Sequence, residues 1–194
     1  EYTKAEQESQ SLTAFFRECR EYPLATAGSH LNYYALFLER SIRLASMSAH
    51  IGMITPTGVV TDYGNRDFVT RLFRAGMLVS LLDFENKGLF PDVDDRFRFS
   101  LINLRKEERA RSGNVKFAFR LHGVKELSVS GRMFELSSSD VSMFNPNTLT
   151  VPTFLSALDA RLNEKMYREA GRVFVLDQPP KGLAGNPWGA RAYQ

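Results

Sequence analysis

"MLVSLLDFENKGLFPDVDDRFRFSLINLR", residues 77–105, is where the secondary-structure rhythm of this chain changes. The first nine residues are an apolar run that reads as a buried strand. A glycine turn follows, then Phe90-Pro91, then three acids within four residues, Asp92, Asp94 and Asp95. After them Arg96-Phe97-Arg98-Phe99 alternate into a second strand, expected over 96–105. Because strand side chains alternate, Arg96 and Arg98 are expected on one face and Phe97 and Phe99 on the core side.

Upstream, the elements alternate. Leu12, Phe15, Phe16 and Cys19 recur at helical spacing over 3–20, before Tyr22-Pro23. In "LNYYALFLERSIRLASM", 31–47, Tyr34, Phe37, Leu38, Ile42 and Ala45 form one apolar stripe, the strongest helical pattern. "HIGMITP", 50–56, is a short apolar strand stopped at Thr55-Pro56, and 65–75 is a helix closed by Gly76, a left-handed C-cap. Helix, strand, helix, strand is the order of a doubly wound α/β sheet.

Downstream the order breaks. "VKFAFRLH", 115–122, alternates like 96–105, and only the charged turn "KEERARSGN" separates the two, so they are expected to pair antiparallel. "LSSSDVSMFN", 136–145, offers serine caps for a short helix, and 153–169 reads as another, ending at Gly171. The stretch from 173 holds one short strand and then Pro/Gly-rich loop.

The chain has 194 residues, 43% of them hydrophobic, which supports one ordinary globular core. A net charge of +3 permits a polyanionic partner without requiring one. The single cysteine, Cys19, excludes an internal disulfide framework and suits a reducing, cytoplasmic compartment. No apolar run reaches the roughly 18 residues of a membrane span. His30, His50 and His122 are scattered, and no metal-ligand spacing, Gly-x-Gly-x-x-Gly or phosphate loop occurs. The acids at 92–95 read as a solvated turn or as catalytic carboxylates, and a turn seldom supplies the burial that acid/base work needs. The run "RKEERARSGN" reads as a solvated loop or a binding turn. Both ends look cut, since Trp188 and Tyr193 stand at a terminus with nothing after them to pack on. The expectation is an excised piece of a longer protein.

Taken in order, "NYYALFLERSIRL", "IGMITPTGVVTD" and "LVSLLDFENKGLFPDVDDRFRFSLINL" resemble the later half of the catalytic domain of adenine-specific DNA methyltransferases. The likeness is to the large type IIG restriction–methylation enzymes and related phage-defence methylases. "LSSSDVSMFNPNTLTVPTFLSALDARLNEKMY" is similar to the segment that follows that core, so the resemblance covers most of 28–175. It implies a partial doubly wound, Rossmann-like α/β sheet ending in antiparallel strands, with a helical C-terminal extension. It also implies a lead-in over 1–27, the catalytic-domain half over 28–126, and an extension toward the target-recognition side over 127–194.

The family's chemistry is methyl transfer from S-adenosylmethionine to the amino group of an adenine flipped out of duplex DNA. By that resemblance Phe90, with Pro91 fixing the backbone after it, stands where an aromatic stacks on the target base. Arg96 and Arg98 would reach phosphate. Phe37 falls where a side chain packs on the cofactor's adenine, and Pro56 lies at the strand edge where ligands of such sheets gather. Two plainer readings stay open: Phe90 as a plug under a loop, with the arginines paired to Asp92, Asp94 and Asp95, and Phe37 as a core residue. The glycine-rich cofactor loop and the Asn-Pro-Pro-aromatic loop are absent from the chain. "NPNT", 145–148, and "NPWG", 186–189, lack the second proline. Both loops are therefore expected upstream in a parent enzyme, with this piece inactive by itself. The alternative function is a non-catalytic DNA- or protein-binding module of the same fold.

Overall fold

A computed structural model describes residues 2–27, 31–106, 113–146 and 150–170. The order is α1 (Tyr2–Glu18), α2 (Tyr33–Leu44), β1 (His50–Pro56), α3 (Gly58–Thr61), α4 (Arg66–Arg74), β2 (Leu78–Glu85), β3 (Arg98–Arg105), β4 (Val115–Leu121), β5 (Phe134–Leu136), α5 (Ser138–Phe144) and α6 (Ala157–Ala170). Single 3-10 turns occur at Tyr63–Asn65 and Val124–Ser128. The strands form one mixed sheet in the order β1-β3-β2-β4-β5. It is a partial Rossmann-like α/β arrangement whose sheet is mostly antiparallel, with helices after it. Among the described residues no helix is long and apolar enough to cross a membrane.

One pairing differs from the sequence expectation. β3 does not pair with β4. It lies antiparallel between β1 and β2, with Met53 and Leu81 both opposite Ile102. β4 runs parallel to β2 on that strand's other side, and β5 closes antiparallel on β4. The reason is edge availability: once β1 and β2 flank β3, both hydrogen-bonding edges of β3 are used. The apolar strand β4, buried at five of its seven positions, takes the remaining edge of β2.

The local signals hold. Gly76 has φ +63, Met77 N–H donates to the Leu72 carbonyl and Gly76 N–H to that of Phe73, a Schellman closure of α4. Ser137 caps α5 in a reciprocal box with Asp140. α6 starts at Ala157 rather than 153, because the Ser156 hydroxyl accepts the Asp159 N–H three residues on and so sets the first turn. The strand expected after residue 173 lies outside the described residues.

The main core sits on one face of the sheet. Ile102, Leu104, Leu81 and Phe117 meet Leu38 of α2, Val59 and Val60 of α3, and Phe68, Val69 and Leu72 of α4. Val141 and Phe144 of α5 and Ala160 of α6 extend it toward β5. The opposite face carries a smaller cluster of Phe84, Ala118 and Leu121, with Phe99 and Leu127 against it. Helix α2 departs from the single stripe read in the sequence. It buries Leu38 toward the sheet, and Ala35 and Leu36 toward the end of α1. Buried Glu39 accepts the N–H groups of Ala25 and Leu24 at 2.8 and 3.4 Å. Burial pushes the Glu39 carboxyl up, an effect those two donors partly offset. Phe37 lies on the remaining face, 64% exposed, and is not a core phenylalanine.

Candidate functional site

β1, β2 and β4 run in one direction, so their carboxyl ends share an edge of the sheet with the start of β3. Ligands of open α/β sheets bind at such an edge. The loop between β2 and β3 rises from it. Asn86, at its base, is 1% exposed, and its side chain is spent on the loop. Its Oδ1 accepts the Phe90 N–H at 2.9 Å, and its Nδ2 donates to the carbonyls of Phe90 at 3.0 Å and Val93 at 2.6 Å. Gly88, at φ +80, supplies the left-handed turn between them. Both backbone groups of Phe90 are thus fixed by one buried amide.

The Phe90 ring, in a residue 40% exposed, stands edge-on to Phe99 with centroids 5.0 Å apart. Phe99 stacks in turn on buried Phe84 at 5.5 Å. The three rings form a column from the core outward, and Pro91 follows in the exposed part of the loop.

The arginines do not share a strand face. The ladder with β2 starts at Arg98 opposite Glu85, and Arg96 lies before it in a turn closed by Phe97 N–H on the Asp94 carbonyl. Phe97 precedes the ladder too and is 65% exposed, so it does not pack on the core as alternation suggested. Arg96 makes a fork on Asp94, Nε to Oδ1 at 2.9 Å and Nη2 to Oδ2 at 2.6 Å. That fork and the Arg96 N–H lower the Asp94 carboxyl to about 2. Asp92, Asp94 and Asp95 are all exposed, a solvated turn.

Arg98 turns to a different acid. Its Nη1 lies 3.4 Å from Oδ2 of Asp83, a fully buried carboxylate near the end of β2. The same oxygen accepts the Arg120 N–H at 2.9 Å, while Oδ1 accepts the Thr57 hydroxyl. Thr57 Oγ1 is also 2.9 Å from Ser100 Oγ. One carboxylate therefore ties together the ends of β1, β3 and β4. Thr55, whose register partner is Ser100, extends this row, and its buried hydroxyl has no hydrogen-bond partner among the described residues. None of Asp83, Asn86, Thr57 or Ser100 stood out in the sequence. The available signal was Asp83 itself, the one charge inside "LVSLLDF".

Beside this edge, Asn65 Nδ2 donates to Tyr34 Oη at 3.1 Å and to the Gly58 carbonyl at 2.9 Å, which places the start of α2 next to the exit of β1. Phe37 is one turn further along α2, and Pro56 is exposed at the end of β1. Each presents an exposed apolar surface, the kind of side chain that packs against an aromatic ring. His122, just past β4, meets Glu85 with Nε2 and Oε2 3.1 Å apart. Partial burial opposes ionisation of Glu85, but the His122 hydrogen bond and the Lys87 ammonium hold its carboxyl below the usual range.

No protein-family model matches the chain, and no curated protein matches it at a significant level. Among solved structures, it is similar to the type IIG restriction endonuclease BpuSI, with 15% identity and a TM-score of 0.46 over 76% of this chain and 18% of that one. It is also similar to the ATP-dependent Type ISP restriction-modification enzyme LlaBIII bound to DNA, with 13% identity and a TM-score of 0.36 over 50% of this chain and 8% of that one. The chain thus spans under a fifth of the length of either enzyme.

Proposed function

We propose that this chain is the base-holding part of an adenine-specific DNA methyltransferase of a restriction–modification or phage-defence system. The observation that carries this reading is the presentation of Phe90. A buried asparagine fixes its backbone on both sides, and a two-ring column supports its own ring at the ligand edge of the sheet. A ring serving only as a plug would gain nothing from a dedicated clamp that leaves it 40% exposed. A pre-positioned aromatic is what holding an unstacked base requires, and such stacking is worth about 1–3 kcal/mol per base. The resemblance of the quoted segments supplies the substrate class, an adenine rotated out of duplex DNA.

S-adenosylmethionine, when bound, supplies the methyl group. In this chain Phe37 and Pro56 are the residues that would meet its adenine. Arg96, the most exposed arginine of the loop, would exchange Asp94 for a phosphate oxygen and so remain paired on binding DNA.

The test uses a short duplex carrying 2-aminopurine opposite an abasic site, where extrusion costs least. Titration with the 194-residue chain is expected to change the 2-aminopurine emission on capture. Phe90→Ala should weaken capture by about 5- to 150-fold, the stacking energy above expressed as a ratio, and Phe90→Trp should retain it. Equal affinity for wild type and Phe90→Ala would rule out the base-holding role.

A further inference from the structure

Three non-glycine residues of the described chain have positive φ, and one of them, Arg120 at φ +53, lies at the ligand edge. A left-handed conformation is unfavourable for arginine and persists only where the surroundings impose it. Here both of its backbone groups are held. Its N–H donates to Asp83 Oδ2 at 2.9 Å, and its carbonyl accepts Arg132 Nη2 at 2.7 Å. Arg132 is itself anchored by Glu126 at 3.1 Å and by the Leu155 carbonyl at 2.6 Å. The irregularity lies where the register of β4 against β2 shifts between Leu82 and Phe84, a bulge that re-aims a side chain.

The side chain so presented is exposed, and its guanidinium has no hydrogen bond or ion pair among the described residues. The two arginines around the start of β3 are already engaged: Arg96 forks on Asp94, and Arg98 balances buried Asp83. Arg98 and the Arg120 N–H converge on one Asp83 oxygen, so the charge of Arg98 is largely neutralised there and that of Arg120 is not.

We propose that Arg120, in addition to Arg96, contacts a backbone phosphate of duplex DNA, held in place for it by Asp83 and Arg132. This rests on the reading of duplex DNA as the partner. A rigid backbone lowers the ordering cost of the contact, and a guanidinium without a competing carboxylate meets a phosphate without first breaking a pair. The strain at φ +53 is then retained for binding rather than for folding.

The two roles separate in one variant. Arg120→Gly removes the guanidinium and suits a left-handed backbone. It is expected to melt at a higher temperature than wild type while losing one phosphate contact. In fluorescence-anisotropy titrations of a labelled duplex across salt concentrations, the slope of log K against log salt should become shallower by about 0.9. Arg120→Lys should keep the wild-type slope. A wild-type slope in Arg120→Gly, with normal binding by wild type, would overturn the assignment of Arg120 and leave the DNA reading standing. No retardation of duplex by wild type even at low salt would remove both.

Discussion

Asp94 and Arg96 show how a single pair fixes the character of a loop. The fork between them is exposed, so its value lies in local order more than in stability. Asp94 is held at about 2 against an ordinary 3.8, with the Arg96 fork the largest cause and its N–H next. A carboxylate lowered in the folded state favours folding above its unfolded value, and this is lost as pH falls through the folded one. The window for this turn is therefore about pH 4 down to 2. Carboxyl-carbon NMR should place the Asp94 midpoint near 2, and Arg96→Ala should move it back toward the ordinary value. An unmoved midpoint in the variant would show that the fork is not its cause. At the same scale, the buried Asn86 side chain is spent on holding two residues of its loop, Phe90 and Val93, in place.

At the scale of elements, most ends are set by one or two side chains. α5 has seven residues, too few to persist without a cap and tertiary contact. Ser137 accepts the Asp140 N–H and Asp140 accepts that of Ser137, while Val141 and Phe144 reach the core. Ser137→Ala is expected to cost about 1 kcal/mol in chemical denaturation, with the slope unchanged. A loss below a few tenths would mean that Asp140 alone satisfies the helix start. The same locality explains which elements were legible. Gly76 announced the end of α4, and Thr55-Pro56 the end of β1, because caps and prolines act on residues within one turn. Where a boundary moved, as at α6 or at Phe97, the deciding contact was also short: a serine hydroxyl in one case, a turn carbonyl in the other.

Across the whole molecule, Asp83 is the point at which separate segments are held together. It draws on Thr57, Arg98 and Arg120, which belong to the ends of three different strands. Asp83→Ala would leave the Arg98 guanidinium, the Arg120 N–H and the Thr57 hydroxyl without their acceptor. Removing one member of a buried charged network costs about 3 kcal/mol or more, and thermal unfolding should reveal it. A loss below about 1 kcal/mol would mean that water replaces the carboxylate freely.

By itself the sequence determined the longer elements, their order and the aromatic-proline turn, since periodicity, caps and turn chemistry are properties of neighbours along the chain; the short α3 and β5 carried no such signal and were not read. Strand neighbours were another matter. β3 and β4 alternate alike, and only competition for the edges of β2 and β3 placed one inside the sheet and the other beyond it. The polar cluster at the carboxyl edge of the sheet was equally hidden, because Thr57, Asp83, Ser100 and Arg120 are dispersed over more than sixty positions. The burial that makes them a unit exists only after the strands have paired.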